Sequence, residues 1–268
     1  MRLTKLFLFL LPSIFSQGFA IAQQARNSVL VCYGKLNTSK TRDFRYLIVE
    51  SNHYSANEVR LLARQNQHVL AYISLGEVNA AAPHYAVLKN SVLGKNELWN
   101  SYYLDFSKPK TRETLLQVIE SGLNQGYDGF FFDNLDNFGS FGKQTGQQQD
   151  VINFLKEVRS KFPDKIFIQN AGLELIDRTA TFVDAVLTES VATDYNFSLK
   201  QYQLRNKKDF ETRLEQLQKL RDAHKLPIIL VEYANTKSLR DSVITRIKNT
   251  GFDYFIGTID LQKIPSFK

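Results

Sequence analysis

The chain has 268 residues, a single cysteine and a formal net charge of +7. One cysteine excludes an intramolecular disulfide, so the stability of the fold must come from its apolar core. The basic residues form no motif interleaved with aromatic residues, which argues against nucleic acid as a partner.

The first 22 residues have the three parts of a secretory signal peptide. Arg2 and Lys5 give a positive start, Leu6–Phe15 is an apolar centre, and Ala20–Ala22 is a small-residue cleavage site. The apolar centre is too short to span a bilayer, so we expect no stable membrane insertion. We predict export to the periplasm or the outside of the cell, with a mature chain that begins at Gln23 and has a charge of +5.

Short apolar runs alternate with stretches of helical spacing along the rest of the chain. Eight runs predict strands, which are Val29–Gly34, Tyr46–Glu50, Val69–Ser74, Gly129–Asp133, Lys165–Asn170, Ala185–Glu189, Pro227–Glu232 and Tyr254–Thr258. Five stretches predict helices, which are Ser55–Gln65, Pro109–Asn124, Asp150–Lys161, Asp209–His224 and Ser238–Asn249. Tyr102–Phe106 is predicted to be a short extra strand, and Ala80–Trp99 a long irregular connection that walls a cleft.

Eight strands that alternate with helices over about 245 residues favour a (β/α)₈ TIM barrel. This α/β fold is predicted as a single domain over residues 23–268. An open, doubly wound sheet is the alternative, but no GxGxxG motif follows the first strand. No internal repeat, low-complexity tract or linker divides the chain.

The fourth predicted strand lies within the sequence GYDGFFFDNLDNF, residues Gly126–Phe138. Its apolar run has no polar face, which is typical of a buried parallel strand, and it stops abruptly on Asp133, Asn134 and Asp136. Because the carboxyl ends of parallel strands face the ligand crevice of α/β folds, these three residues are candidates for chemistry. The alternative is that Asp133 or Asn134 only stabilises the turn after the strand.

Polar residues end the other predicted strands as well. The complete set is Tyr33, Glu50, Ser74 with Glu77, Asp133 with Asn134 and Asp136, Asn170, Glu189, Glu232 and Asp260. A barrel brings these ends into one ring, where so many carboxylates repel one another and are costly to desolvate. Such a ring suits a site that binds hydroxyl or cationic groups and performs acid–base chemistry with paired acids.

Other kinds of site have little support in the sequence. The four histidines lie far apart and form no HxH or HExxH pair, so we expect no metal and no cofactor. There is no GxSxG nucleophile motif. Trp99 and Tyr102, together with Tyr33, Tyr72 and Tyr85, are candidates for a platform that stacks sugar rings. Packing in the core or at the rim is the alternative for each of these aromatic residues.

The sequence YDGFFFDNLD, Tyr127–Asp136, resembles the strand signature of the endo-α-1,4-polygalactosaminidase-type glycoside hydrolases, family 114. Four further motifs resemble those of the family in the same order, and they are Tyr72–Glu77, Trp99 with Tyr103–Phe106, Gln169–Ala171, and Thr188–Ser190. Phe132 stands where fungal-type members often have proline, and residues 188, 190 and 191 also depart from the fungal pattern. The chain therefore resembles the bacterial branch more closely.

The resemblance implies a barrel enzyme that cleaves α-1,4-linked galactosamine-rich polysaccharide at internal bonds, with Asp133 and Glu189 as the catalytic acids. The substrate-binding residues would then be Tyr33, Glu50, Tyr72, Glu77, Trp99, Asn134, Asp136, Asn170, Glu232 and Asp260. A non-catalytic polysaccharide-binding barrel is the alternative. Retention of both acids favours the enzyme, because a binding protein needs no matched acid pair.

Barrel geometry also predicts how far apart Asp133 and Glu189 lie. They end the fourth and sixth predicted strands, and alternate strands of a barrel point side chains into the same layer. Two strand spacings separate the backbones by about 10 Å, and side chains that lean inward shorten this to about 5–6 Å between carboxyl groups. That separation predicts a retaining mechanism in which Asp133 is the nucleophile and Glu189 the acid and base.

Overall fold

The computed structural model describes residues 27–267. This part of the chain contains thirteen β-strands and seven α-helices. The strands are β1 (Asn27–Cys32), β2 (Phe44–Val49), β3 (His68–Ser74), β4 (Glu77–Asn79), β5 (Val92–Asn96), β6 (Ser101–Leu104), β7 (Gly129–Asp133), β8 (Ile166–Asn170), β9 (Ala185–Glu189), β10 (Thr193–Asn196), β11 (Gln201–Leu204), β12 (Ile228–Tyr233) and β13 (Asp253–Gly257). The helices are α1 (Ala56–Gln65), α2 (Tyr85–Leu88), α3 (Pro109–Gln125), α4 (Gln148–Lys161), α5 (Ile176–Thr179), α6 (Lys207–His224) and α7 (Lys237–Ile247). The predicted signal peptide and the predicted start at Gln23 lie outside the described residues and stay predictions.

Eight strands form one parallel sheet in the order β1-β2-β3-β7-β8-β9-β12-β13. They are the eight predicted strands, and each end lies within two residues of its predicted position. The two edges of the sheet meet, because Tyr33 N donates a hydrogen bond of 2.8 Å to Leu261 O, and Ser28 Oγ donates one of 3.3 Å to Tyr254 O. With helices in six of the seven connections between successive barrel strands, the predicted (β/α)₈ barrel is confirmed. The connection from β1 to β2, described throughout, contains no helix.

Strand β7 is buried on both faces, as its apolar run predicts. Gly129 permits a close approach to β8, because a Cβ atom there would lie 1.7 Å from Ile166 O. Phe132 stacks on Phe167 with ring centroids 5.2 Å apart. Each fully buried phenylalanine of this strand stabilises the fold by about 1.5–3 kcal/mol. The strand therefore holds Asp133 rigidly at the carboxyl end of the barrel.

Helices begin and end at residues that the sequence marks. Ser55 and Glu58 form a capping box at the start of α1, with Ser55 N donating to Glu58 Oε2 at 2.8 Å and Glu58 N donating to Ser55 Oγ at 3.4 Å. Helix α3 begins at Pro109 and ends before Gly126, whose φ of 111° is left-handed.

No helix among residues 27–267 has the length and apolar character needed to cross a membrane.

Two small antiparallel sheets project from the carboxyl end of the barrel. The first excursion, residues 77–104, follows β3 and contains the sheet β4-β6-β5, and the second excursion, residues 193–204, follows β9 and is the hairpin β10-β11. The prediction of an irregular connection over Ala80–Trp99 is therefore wrong in part, since α2 and β5 lie within it. Strand β5 was missed because a bulge and Gly94, at φ 147°, interrupt its alternation. The hairpin was missed because its strands are mostly polar.

Candidate active site

A cavity of about 1560 Å³ opens at the carboxyl end of the barrel strands. Eleven of the twelve predicted site residues line it, and they are Tyr33, Glu50, Tyr72, Glu77, Trp99, Asp133, Asn134, Asp136, Asn170, Glu189 and Asp260. The exception is Glu232. Because pockets for small molecules usually measure about 300–1,000 Å³, this cavity has room for more than one sugar ring.

Asn170 joins the two predicted catalytic acids at the centre of the cavity. Its Nδ2 donates one hydrogen bond of 2.7 Å to Asp133 Oδ1 and a second of 2.8 Å to Glu189 Oε1. These two distances limit the separation of the two oxygens to about 5.5 Å. Paired acids at about 5–5.5 Å are those of retaining glycosidases, whereas inverting enzymes leave about 6.5–9.5 Å for a water molecule.

Two tyrosine hydroxyls complete the hydrogen bonding of the acids. Tyr72, on β3, donates to Asp133 Oδ2 at 3.0 Å, and Tyr233, on β12, donates to Glu189 Oε2. Burial and the neighbouring carboxylate raise the pKa of each tyrosine well above its ordinary value, so both stay protonated donors. Tyr33 packs its ring against Tyr72 with centroids 4.7 Å apart, which fixes the position of the donor.

Burial raises the pKa of both Asp133 and Glu189 above the ordinary values of carboxyl groups. For Asp133, hydrogen bonds from Asn170, Asn134 N and Tyr72 oppose the effect of burial. For Glu189, the negative charge of Asp133 adds to the effect of burial. Hydrogen bonds from Tyr233 and Asn170 oppose both effects at Glu189. The charge of Asp133 therefore favours the protonated form of Glu189 when Asp133 is ionised.

Asn134 both stabilises the turn after β7 and lines the cavity. Its backbone is left-handed at φ 61°, and its Oδ1 accepts a hydrogen bond of 2.6 Å from Ser74 Oγ. Ser74 Oγ in turn accepts one of 2.9 Å from Glu77 N. This chain ties the turn after β7 to the start of the first excursion. The local, structural role considered for Asn134 therefore exists alongside its position in the cavity.

Glu77 and Asp136 form an acidic pair in the cavity wall. The carboxylate of Glu77 is buried and accepts hydrogen bonds of 3.0 Å each from Asn96 and Asn137, and a third from the Ser101 hydroxyl. The side chain of Asp136 is exposed to the cavity, although partial burial of its carboxyl group and the charge of Glu77 raise its pKa. Asp136 is therefore the member of the pair with oxygens free to meet a cationic ligand.

The remaining predicted residues lie around the wall and rim of the cavity. Glu50 is half-buried, which raises its pKa, and its carboxylate accepts a long hydrogen bond of 3.4 Å from Asn52 N. Asp260 is exposed and accepts a hydrogen bond of 2.7 Å from Thr258 Oγ1. Trp99, on the first excursion, is 51% exposed at the rim. These positions leave all three side chains able to contact a ligand.

Glu232 does not lie with the other acids, which corrects the prediction that it binds substrate. Its side chain is completely buried, and its carboxylate accepts four hydrogen bonds of 2.5–3.0 Å. The donors are the backbone N–H groups of Val191, Ala192 and Thr193 and the Thr193 hydroxyl. Adjacent strand residues point to opposite faces, so Glu232 faces away from the cavity while its neighbour Tyr233 faces Glu189. Glu232 thus holds the turn that follows Glu189.

Tyr233 is the site residue that the sequence prediction missed. Strand β12 was predicted to end at Glu232, and its true end lies one residue later. The sequence feature that could have located Tyr233 is the two-residue periodicity of the strand. It places Glu232 and Tyr233 on opposite faces, so that only one of them points into the barrel mouth.

Among residues 27–267, no group of three or more His, Cys, Asp or Glu side chains has the arrangement of a metal site.

Comparison with known proteins identifies relatives along almost the whole chain. The sequence model of glycoside hydrolase family GH114 matches residues 17–267. An uncharacterized protein of Methanocaldococcus jannaschii is 22% identical over 234 residues, which cover 81% of this chain and 65% of that protein. The chain thus spans about two thirds of the length of this archaeal relative.

The solved structures that share the fold include two that cover 90% of this chain. The glycoside hydrolase domain of PelA from Pseudomonas aeruginosa superposes with a TM-score of 0.78 at 26% identity, over 90% of this chain and 98% of that domain. Ega3 from Aspergillus fumigatus, solved in complex with galactosamine, superposes with a TM-score of 0.68 at 17% identity, over 90% of this chain and 94% of that chain. The similarity to Ega3 supports the fold alone.

Proposed function

The chain belongs to glycoside hydrolase family GH114 and is a glycoside hydrolase, and from this premise we propose that it cleaves α-1,4-linked, galactosamine-rich polysaccharide at internal bonds. The observation that carries the proposal is the bridge from Asn170 Nδ2 to Asp133 and Glu189. One amide keeps the two bridged oxygens within about 5.5 Å of each other, which supports a retaining mechanism.

In the proposed mechanism, Asp133 attacks the anomeric carbon and forms a glycosyl ester, while Glu189 gives its proton to the leaving oxygen. Glu189 then takes a proton from water, which attacks the same carbon and releases Asp133. Three hydrogen-bond donors stabilise the anion of Asp133 and two that of Glu189, and the charge of Asp133 favours a protonated Glu189. This difference supports the assignment of roles.

A cationic, hexosamine-containing substrate is supported by the charge of the cavity wall. The whole protein is basic, but Glu50 and Asp136 face the cavity with few competing partners. Carboxylates at partly desolvated positions attract an ammonium group more strongly than surface carboxylates do. Ega3, which shares the fold, was solved in complex with galactosamine, a sugar of this class.

Export is part of the proposal. It rests on the charged start, apolar centre and small-residue site in residues 1–22. A polysaccharide outside the cytoplasm is accessible only to an exported enzyme. Mass spectrometry of protein from the native host should find Gln23 at the N-terminus, and a mature protein that still carries Met1 would contradict export by this route.

The function can be tested with purified protein that begins at Gln23. We expect it to release reducing ends from partly deacetylated α-1,4-galactosaminoglycan and to shorten the polymer early, as an endo-acting enzyme does. Asp133→Asn should lower the rate by about 10³-fold or more while the protein stays folded. Chitosan, a β-1,4-linked glucosamine polymer, is the control for linkage and sugar configuration. Tight binding of galactosaminoglycan without release of reducing ends would favour the non-catalytic alternative.

A further inference from the structure

The exposed tryptophan and phenylalanine rings of the described residues, 27–267, are confined to one face. Trp99 is 51% exposed, Phe197 43% and Phe141 100%. Among residues 27–267, every tryptophan or phenylalanine that is more than about a third exposed lies in a segment that follows barrel strand β3, β7 or β9. Exposed apolar side chains grouped on one surface mark a binding site more often than single ones do. Here the group lies at the mouth of the barrel.

Trp99 and Phe197 belong to different excursions and touch each other. Their ring centroids are 5.6 Å apart and their planes are perpendicular at 90°. Phe197 also meets Tyr195 edge to face at 5.0 Å, and Tyr195 packs on Tyr202 at 4.7 Å. The Tyr202 hydroxyl accepts a hydrogen bond of 3.1 Å from Ile259 N, in the segment after β13. These four rings, which we name the aromatic bridge, form a continuous row.

The aromatic bridge extends beyond the cavity that holds the acids. Trp99 lines that cavity, whereas Phe197, Tyr195 and Tyr202 do not. In a perpendicular pair the edge of one ring lies on the face of the other, and Trp99 and Phe197 remain 51% and 43% exposed. The row therefore offers flat apolar surface outside the catalytic cleft, and no carboxylate of the acidic pair takes part in it.

We propose that the aromatic bridge is a distal sugar-binding site, which stacks hexosamine rings of a polymer chain that continues out of the cleft. The proposal rests on the proposed function and adds a second mode of recognition to it. A galacto-configured ring has an axial 4-hydroxyl on one side, so the C–H groups at C3, C4 and C5 form an apolar patch on the other. That patch matches an aromatic face, and stacking on it requires no charge on the sugar.

The test compares long polymer with the shortest oligosaccharide that the enzyme cleaves. Phe197→Ala should lower kcat/KM on both substrates, and the factor of the loss should be roughly ten times larger on long polymer than on the short substrate. Trp99→Ala should also lower kcat/KM on long polymer. In the double variant, kcat/KM should fall by a smaller factor than the product of the two single factors, because the two rings act together. Leu199→Ala is the matched control, since Leu199 is 70% exposed on the same hairpin and is not a member of the row.

The outcomes separate this proposal from the proposed function. Suppose that the wild-type enzyme cleaves the polymer while Phe197→Ala lowers kcat/KM by the same factor on long and short substrates, or leaves it unchanged. In either case the aromatic bridge is not a sugar site. A loss in Leu199→Ala equal to that in Phe197→Ala would also overturn it, because general disturbance of the hairpin would then explain both. A wild-type protein that neither binds nor cleaves galactosaminoglycan would contradict the proposed function and this site together.

Discussion

Tyr233 donates its hydroxyl hydrogen to Glu189 Oε2 from the neighbouring barrel strand. This hydrogen bond lowers the pKa of Glu189 and so opposes burial and the charge of Asp133, which raise it. The same hydroxyl oxygen can accept a hydrogen bond when Glu189 is protonated, because a phenol is both a donor and an acceptor. Tyr233 can therefore partner Glu189 in both protonation states of the proposed cycle.

Tyr233→Phe should lower kcat by about ten- to a hundredfold, because hydrogen bonds to charged groups contribute about 1.5–3 kcal/mol. It should also move the alkaline limb of the kcat/KM profile to higher pH, since loss of the donor raises the pKa of Glu189 further and the acid form persists. A pH–rate profile measures both effects. A loss of rate with an unmoved alkaline limb would show that Tyr233 does not act through Glu189.

Tyr72→Phe is the matched control for this variant. Tyr72 donates to Asp133 at 3.0 Å, so its loss raises the pKa of Asp133. Because Asp133 must be ionised to attack, the acid limb of the profile should move to higher pH while the alkaline limb stays. Two tyrosine variants that moved the same limb would contradict the assignment of separate roles to the two acids.

Much of this arrangement could be predicted from the sequence, because apolar runs that stop on polar residues locate the carboxyl ends of barrel strands. That rule placed Asp133, Asn170 and Glu189 correctly in one cavity. It could not separate Glu232 from Tyr233, because a one-residue error at a strand end reverses which side chain faces the barrel mouth. It also gave no sign of the second excursion, whose pairing depends on backbone hydrogen bonds between polar strands rather than on an apolar pattern.

Amide substitutions at Glu189 and Glu232 should change stability in opposite directions at neutral pH. The pKa of Glu189 in the folded protein lies above its ordinary value. The stabilisation that this carboxyl group contributes is therefore complete at pH values below its pKa in the unfolded chain. It is lost as the pH rises through its pKa in the folded protein. Ionised Glu189 therefore destabilises the fold at neutral pH. Glu189→Gln should raise Tm by about 2–4 °C there and give no gain in acid.

Burial raises the pKa of Glu232 as well, but Glu232→Gln should lower Tm by about 5–10 °C, because the new NH₂ group would face backbone N–H donors that cannot become acceptors. At Glu189 the Tyr233 hydroxyl can accept a hydrogen bond from the new NH₂ group instead. Thermal unfolding at neutral and acid pH measures both variants. Activity should fall in Glu232→Gln as well, since the turn of residues 190–193 follows Glu189 directly. Equal shifts of Tm in the two variants would contradict the difference in environment that the hydrogen bonds indicate.

Asp136→Asn should lower kcat/KM about fivefold on deacetylated polymer and little on fully acetylated polymer. Asp136 faces the cavity, and only the deacetylated sugar carries an ammonium group for it to attract. Added salt should reduce the advantage of the deacetylated polymer in the wild type, because an open cleft is partly screened. Glu77→Gln is a poorer test, since three hydrogen bonds already hold that carboxylate.

Glu97→Gln is the matched control for the charge of Asp136. Glu97 lies on the first excursion with its side chain 79% exposed and pairs with Lys95, outside the cavity lining. Its loss changes the net charge by the same amount and should leave the preference between polymers unchanged. If Asp136→Asn lowers kcat/KM equally on both polymers, Asp136 has a role that does not depend on the ammonium group.

Hydrolysis should retain the anomeric configuration of the substrate. The two carboxyl oxygens that share Asn170 Nδ2 lie no more than about 5.5 Å apart, too close for a water molecule to attack between acid and sugar. Proton NMR of the first-formed reducing ends, before mutarotation, should show the α-anomer. Azide should restore activity to Asp133→Gly and give the β-glycosyl azide, because it attacks from the face that Asp133 has vacated. A first-formed β-anomer would mean that Asp133 acts as a base through water, and that the cavity opens by at least 1 Å between the acids when substrate binds.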